Sequence, residues 1–140
     1  MGRLFAFFAP KTIKRPHSNT ERISPLLTDQ YQLSMAYSYF RAGQHEKRAT
    51  FEMFFRKTPF GGSYAVFAGL DGLMEYLVNF HFTDSEIAYL RKAMPYASED
   101  YFEYLKSLDF RQLDVRAPEE GTLVFANEPL VIVSGPLGMC

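Results

Sequence analysis

The stretch that decides the fold spans residues 27–64 and contains two runs, LTDQYQLSMA at 27–36 and FFRKTPFGGSY at 54–64. The first run predicts the start of a helix, because Thr28 or Ser24 is a favoured N-cap residue. Gly43 is a favoured residue for ending that helix. The second run predicts the end of a strand, followed by two cations and a glycine-rich loop.

The predicted helix is apolar on two sides. One face repeats at i, i+3, i+4 and i+7, with Leu33, Ala36, Tyr37 and Phe40. The opposite face carries Tyr31, Met35 and Ser38. A surface helix normally has one apolar face, so we expect the second face to contact a ligand or another chain.

Working outward from this stretch, residues 49–56 alternate as in a half-buried strand, and 64–68 indicate a second, short strand. A helix follows, with Leu70 and Leu73 on its inner face. Thr83 and Glu86 form a capping box that starts another helix, which ends before Pro95.

The last third of the chain changes from helix to strand. A further helix begins at Ser98, with its candidate core residues Phe102, Leu105 and Leu108. Three short β runs then follow at 113–117, 122–126 and 130–134, separated by turn-forming residues. We expect these runs to form a meander, and the mixed order of helices and strands predicts an α+β fold.

Composition excludes some function classes. A length of 140 residues suits one ordinary domain, and 47% apolar with 22% charged residues is typical of a folded globular chain. A net charge of −1 argues against nucleic acid as the main partner. We divide the chain into an extension at 1–23, disordered or targeting-like, and a domain at 24–140. The cationic residues among 1–20 make a mitochondrial presequence the minor alternative.

Two residues stand out as candidates for binding a small molecule. Tyr31 offers an aromatic face, although a packed core or interface tyrosine explains it as well. Arg56, with Lys57 beside it, offers a planar cation for phosphate, although a solvated strand end explains the pair too. Gly61 and Gly62 lack the spacing of a P-loop. The three histidines have no metal-ligand spacing, and we find no self-contained catalytic constellation.

Three motifs, in this order and at these intervals, resemble nicotinate phosphoribosyltransferase over about residues 26–137. The motifs are LTDQYQLSM at 27–35, FFRKTPFGGSYAVFAGL at 54–70, and NEPL at 127–130 leading to GPL at 135–137. Ser34 stands where the family usually has Thr, which keeps the hydroxyl. The resemblance implies the mixed helix and strand N-terminal region of a type II phosphoribosyltransferase, which continues into a downstream barrel domain.

The resemblance also implies a reaction and a site. The family makes nicotinate mononucleotide from nicotinic acid and phosphoribosyl diphosphate, driven by ATP hydrolysis through a phosphohistidine, with Mg²⁺ as metal. Its sites form between the two antiparallel subunits of a homodimer in the cytosol. By this pattern Tyr31 stacks on the nicotinate ring and Arg56 reaches a phosphate.

The chain departs from the family pattern in its length. His17, His45 and His81 do not match the family's phosphorylated histidine, and the phosphoribosyl-binding segment lies downstream in the family. We therefore expect no catalytic residue in this segment and no activity from the chain alone. The alternative interpretation is a catalytically inactive module for interaction or dimerisation, built on the same N-terminal fold.

Overall fold

The structure, a computed structural model, describes residues 22–140. Residues 1–21, most of the predicted extension, lie outside them, so the boundary at residue 23 stays a prediction. Helices and strands are mixed along the chain, which confirms the α+β class. In order they are α1 Gln30–Arg41, β1 Arg48–Met53, β2 Ala65–Val66, α2 Leu70–Asn79, α3 Asp84–Ala93, α4 Glu99–Ser107, β3 Asp114–Arg116, β4 Leu123–Val124 and β5 Val131–Pro136.

A first core, called the helical core below, lies between α1, α3 and α4. Its buried members are Tyr37, Phe82, Ile87, Leu90, Met94, Tyr101, Phe102, Leu105 and Leu108. The predicted inner face of α1 packs here, since Leu33, Ala36 and Phe40 are partly buried against it. The capping box at the start of α3 is also confirmed, because Thr83 and Glu86 exchange both expected hydrogen bonds.

A second core, called the sheet core below, lies where α2 packs on the strands. Its buried members are Phe67, Leu70, Val124 and Val131. Leu73 and Met74 of α2 are partly buried against them, which confirms the predicted inner face of this helix. The sheet core is the smaller of the two.

The predicted meander is wrong. The three-stranded sheet has the antiparallel order β1-β5-β3, and β4 leaves it to pair with β2 in a separate two-stranded ribbon. The turn before β4 explains why this strand pairs with β2. The Glu120 carboxylate accepts hydrogen bonds from the backbone N–H groups of Gly69 and Leu70, at 2.9 and 2.7 Å. These bonds tie the turn to the start of α2 and bring β4 beside β2.

The predicted half-buried strand at 49–56 is also wrong in part. β1 ends at Met53 and lies at an edge of the sheet, with one residue partly buried and the rest exposed. The register pairs Met53 with Val131, so continuing it would place Pro129 opposite Phe55. Proline has no N–H to donate, which explains why the ladder stops there. Arg56 therefore lies in a loop and not in a strand.

The start of α1 differs by one residue from the prediction. Asp29 is the N-cap, and its side chain makes no capping hydrogen bond. Thr28 bonds the side chain of Gln32 instead, and Ser24 bonds Glu86 of α3. At the other end Gly43 follows the C-cap with φ +64, in the left-handed region that favours glycine. The predicted stop is therefore correct.

Candidate functional site

Tyr31 lies in the first turn of α1 with its ring turned away from the helical core. Its side chain is 58% exposed, and Met35, one turn later on the same side, is also exposed. Ser38 continues this exposed face. The two-faced helix predicted from the sequence is therefore present, and its second face is exposed in the described part of the chain.

The opposite face of α1 is held by two tyrosine hydroxyls. Tyr101, in α4, donates a hydrogen bond to the carbonyl of Leu33 at 2.8 Å. Tyr37, in α1 itself, donates to the carbonyl of Tyr96 at 3.0 Å. The rings of Tyr37 and Tyr101 pack with centroids 4.9 Å apart. The first turn of α1 is thus fixed to α4 directly beneath the exposed Tyr31.

The segment before α1 is held by a buried carboxylate, Glu86. Its Oε1 accepts hydrogen bonds from Ser24 Oγ at 2.5 Å and from Arg22 at 2.7 Å, and its Oε2 accepts the backbone N–H of Thr83 at 2.7 Å. Burial by itself raises the pKa of Glu86, but the bonds from Ser24, Thr83 and Arg22 outweigh burial and bring the pKa to about 2. Glu86 is therefore ionised at neutral pH, and its carboxylate fixes residues 22–24 to α3.

Arg56 and Lys57 lie three and four residues after the end of β1, and both side chains are exposed. Arg56 lines an open depression together with Glu52, Met53 and Phe54. Between residues 22 and 140, neither cation forms an ion pair. The guanidinium of Arg56 is therefore available for an anionic ligand.

The loop after these cations contains an exposed aromatic residue in an uncommon conformation. Phe60 has φ +57 within a short 3-10 turn at Pro59–Gly61, and its side chain is fully exposed. A bulky residue with positive φ is an outlier, since its Cβ crowds the backbone there. The loop is therefore strained beside Arg56, a combination that recurs at ligand-binding sites.

The two predicted site residues belong to different parts of the fold. Tyr31 stands on a helix of the helical core, whereas Arg56 follows an edge strand of the other core. No hydrogen bond, ion pair or cation–π contact joins them within the described residues. The structure therefore supplies an aromatic platform and a separate cation, and each faces outward from the described part of the chain.

A third feature, which the sequence analysis missed, is the outer face of the β2–β4 ribbon. The register pairs Val66 with Leu123, which are 57% and 56% exposed, while Val124 on the other face is buried. Tyr64 and Phe125 extend the same outer face by alternation, and both are exposed. The alternation within 64–66 and 123–125 carried the signal, but only the β2–β4 pairing brings the four side chains together.

The two described histidines, His45 and His81, contact other residues of the chain. The His45 ring packs against Phe40 and Tyr104, with centroids 4.8 Å away in both cases. His81 bonds the carbonyl of Asn79 through Nδ1. His17 lies outside the described residues. From residue 22 onward, no three His, Cys, Asp or Glu side chains converge in a way that would hold a metal ion.

The helices were also compared with the requirements of a membrane span. Among the residues that the structure describes, none of the helices combines the length and the apolar character needed to cross a bilayer.

Comparison with known proteins gives a consistent result. Residues 26–140 match the model of the nicotinate phosphoribosyltransferase N-terminal domain. Nicotinate phosphoribosyltransferase 2 of Arabidopsis thaliana is 45% identical over 117 residues, which are 84% of this chain and 21% of that protein. The Homo sapiens nicotinate phosphoribosyltransferase is 45% identical over 114 residues, 81% of this chain and 21% of that protein. The chain thus spans about a fifth of the length of these curated relatives.

Solved structures agree with this match. The crystal structure of human nicotinic acid phosphoribosyltransferase superposes with a TM-score of 0.73 at 43% identity, covering 81% of this chain and 23% of that chain. The crystal structure of nicotinate phosphoribosyltransferase from Porphyromonas gingivalis superposes with a TM-score of 0.55 at 20% identity, covering 86% of this chain and 29% of that chain. The second match shows the fold alone.

Proposed function

Because the chain belongs to the nicotinate phosphoribosyltransferase family, a transferase family of NAD biosynthesis, we propose that it forms the N-terminal part of an enzyme of that activity. The enzyme makes nicotinate mononucleotide from nicotinic acid and phosphoribosyl diphosphate, the salvage route to NAD. The match over residues 26–140 carries this proposal. By the family pattern ATP hydrolysis drives the reaction and the sites are shared between the subunits of a homodimer.

Tyr31 is the proposed platform for the nicotinate ring. Its ring is exposed at the end of a helix that is fixed from below. A flat pyridine ring can stack on such a face, and an aromatic pair of this kind contributes about 0.5–1.5 kcal/mol beyond area burial. A platform held in place before the ligand arrives also reduces the ordering cost of binding.

Arg56 is the proposed contact for a phosphate or pyrophosphate group. Its guanidinium is exposed and forms no ion pair in the described chain. A planar guanidinium matches two phosphate oxygens at once, and Lys57 adds a second positive charge beside it. Since Tyr31 and Arg56 make no contact, the proposal assigns them to different parts of the bound substrates or to two subunits.

The residues described here do not fit the Mg²⁺ that the family implies. Mg²⁺ prefers carboxylate, water and phosphate oxygens, and no convergent group of acids is present between residues 22 and 140. We therefore assign no step of the reaction to a metal in this segment. The ligands of Mg²⁺ and the contacts to ATP belong, in the proposal, to the remaining four fifths of the family's length.

The test of the proposed function is a chimera in which residues 26–140 of this chain replace the matching stretch of the Arabidopsis relative. We expect the chimera to form nicotinate mononucleotide from nicotinate, phosphoribosyl diphosphate, ATP and Mg²⁺. The 140-residue chain alone, assayed in parallel, should show no turnover. A folded chimera without activity would contradict the assignment, and turnover by the chain alone would contradict the expectation that this segment holds no catalytic residue.

A second candidate function is an inactive module that associates with a longer subunit. The exposed apolar face of the β2–β4 ribbon favours it, because contiguous apolar surfaces mark interaction sites. Mixing the chain with the full-length Arabidopsis relative separates the two functions. A mixed complex together with a folded but inactive chimera would favour the module, whereas an active chimera and no mixed complex would favour the enzyme part.

Localisation belongs to the same proposal. We place the protein in the cytosol by the family pattern. The alternative, mitochondrial targeting through residues 1–20, concerns residues outside the described part of the chain. Fluorescence microscopy of the tagged chain, with and without residues 1–21, distinguishes these two locations.

A further inference from the structure

The hydroxyl group of a fully buried tyrosine in the helical core bonds the backbone of α1. Tyr101 has no exposed surface, and its hydroxyl donates to the carbonyl of Leu33, 68 residues earlier in the chain, at 2.8 Å. A carbonyl oxygen has two lone pairs, so this bond does not displace the one that Leu33 accepts within the helix. Tyr101 is therefore a brace between α4 and the first turn of α1.

The position of this brace relative to Tyr31 follows from helix geometry. Leu33 lies two residues after Tyr31, which is about 200° around the helix axis and about 3 Å along it. The Tyr101 hydroxyl thus contacts the helix on the side opposite the Tyr31 ring, at almost the same level. A bond at this point restrains both the rotation of α1 about its axis and its sliding along that axis.

The brace itself is rigid. The Tyr101 ring packs against the rings of Tyr37 and Phe40, with centroids at 4.9 and 5.6 Å. Burial raises the pKa of the Tyr101 phenol, so the hydroxyl keeps its proton and remains a donor. On the other side of Tyr31, the bond from Ser24 to Glu86 holds the segment that leads into α1. The backbone is therefore fixed both before and after Tyr31.

We propose that Tyr101 is a positioning residue for the nicotinate platform, because its hydroxyl holds the first turn of α1 at the rotation that presents the Tyr31 ring to the substrate. The proposal rests on the proposed role of Tyr31. Tyr101 touches no substrate in this arrangement and acts only through the backbone of Leu33.

The chain offers a matched control for the test. Tyr37 also donates its hydroxyl to a backbone carbonyl, at 3.0 Å, but the acceptor is Tyr96 and the bond lies almost two turns from Tyr31. Tyr101→Phe and Tyr37→Phe each remove one buried or half-buried hydroxyl and keep the ring. The two variants should therefore lose comparable stability, and only Tyr101→Phe frees the first turn of α1.

The experiment measures steady-state kinetics of both variants in the chimera with the Arabidopsis relative. We expect Tyr101→Phe to raise the KM for nicotinate by about 2- to 10-fold, the range that loss of one neutral hydrogen bond corresponds to. The KM for phosphoribosyl diphosphate should stay unchanged. Tyr37→Phe should leave both KM values unchanged. Equal changes in the KM for nicotinate in the two variants would overturn the positioning role of Tyr101.

Two further measurements make the outcome decisive. Tyr31→Ala in the same chimera should also raise the KM for nicotinate. If it does not, the proposed role of Tyr31 fails and the positioning proposal falls with it. If it does and Tyr101→Phe has no effect, only the positioning proposal fails. In the 140-residue chain, Tyr101→Phe should speed hydrogen exchange of the α1 amides at 33–37 more than Tyr37→Phe does, and unchanged exchange would also overturn the proposal.

Discussion

The helical core and the sheet core of this chain differ in how completely they cover their own apolar residues. The helical core buries nine side chains, and the candidate core residues predicted for α4 all belong to it. The sheet core buries four, while Val66, Leu123, Phe51 and Met53 of its strands remain exposed. Within the described residues the helical region therefore buries the faces that meet at its centre and leaves the second face of α1 exposed, whereas the strands leave a larger share of their apolar residues exposed.

The difference follows from how each region is built. Three helices close around a common centre, so each buries one apolar face there, although α1 keeps a second face with Tyr31 and Met35 exposed. A sheet has two faces and two edges, and α2 covers only one face of the strands. The edge strand β1 and the outer face of the ribbon consequently stay open. An open apolar face of this kind is the natural place for further chain or a partner to pack.

The first and largest test compares the same substitution in both regions. Leu105→Ala removes a side chain that is 2% exposed in the helical core, which should cost about 2–5 kcal/mol of the free energy of unfolding. Leu123→Ala removes one from the outer face of the ribbon, which should cost under about 1 kcal/mol. Urea denaturation of the 140-residue chain measures both. If the two variants lost similar free energy of unfolding, the outer face of the ribbon would be packed in solution. The two cores would then not differ in how completely they cover their apolar residues.

The second test uses pH to probe the helical region. The pKa of Glu86 is about 2 in the folded chain and 4.5 ordinarily, so the unfolded chain takes up this proton first as the pH falls. The stabilisation is therefore complete above about pH 4.5 and is lost between about pH 4.5 and pH 2. Its magnitude is at most about 3 kcal/mol.

The control for this titration is Glu86→Gln, which has no proton to gain at position 86. Thermal melts of both proteins between pH 7 and pH 2, at constant ionic strength, give the difference directly. The stability gap between the two should be largest at neutral pH and should narrow as the pH falls toward 2. If the difference in stability between the parent and Glu86→Gln stayed constant with pH, Glu86 would not be held by Ser24 and Arg22 in solution.

The comparison also explains what the sequence could predict. The elements of the helical region depend on residues close in sequence, so the capping box at Thr83 and Glu86 and the inner face of α1 were predicted correctly. The strands depend on partners far along the chain. The hydrophobic pattern of residues 113–134 does not indicate that β4 pairs with β2, since that choice depends on the hydrogen bonds that Glu120 accepts from the start of α2.

The candidate site was predictable only in part for the same reason. The exposed second face of α1, with Tyr31 and Met35, follows from periodicity. The end of β1 at Met53 does not, because it depends on the register opposite Pro129. The four exposed apolar side chains of the ribbon likewise follow an alternating pattern in two short segments of the sequence. Only the pairing of β2 with β4 places them on one face. The roles of Tyr31 and Arg56 stay predictions.

The third test asks whether the exposed Tyr31 of the helical region contributes to the use of nicotinate. Tyr31 and Tyr89 are both tyrosines on helices, 58% and 60% exposed. In the chimera, Tyr31→Ala should lower kcat/KM for nicotinate by about 5- to 150-fold, which corresponds to about 1–3 kcal/mol, while Tyr31→Phe keeps most of the activity because the ring face does the stacking.

Tyr89→Ala is the matched control and should leave kcat/KM unchanged. Both alanine variants should melt within a few degrees of the parent, because neither side chain fills a core. If Tyr31→Ala instead lowered the melting temperature and left catalytic efficiency intact, Tyr31 would be a packing residue and the site assignment would depend on Arg56 alone.

The last and smallest effect on stability is expected on the ribbon. Val66 and Leu123 face each other on its outer side, and replacing both by Thr places a β-branched residue of high strand preference at each position while removing apolar surface. The free energy of unfolding should change by less than about 0.5 kcal/mol, since both side chains are exposed. Self-association should nevertheless weaken, because the double substitution removes exposed apolar surface that a second copy or a longer subunit could contact. Light scattering over a concentration series measures this on the 140-residue chain, with Tyr89→Gln as the control that removes an isolated exposed aromatic residue from the helical region. A parent chain that stays monomeric at high concentration would show that the open face of the sheet region does not by itself drive association, and the comparison between the two cores would then concern packing alone.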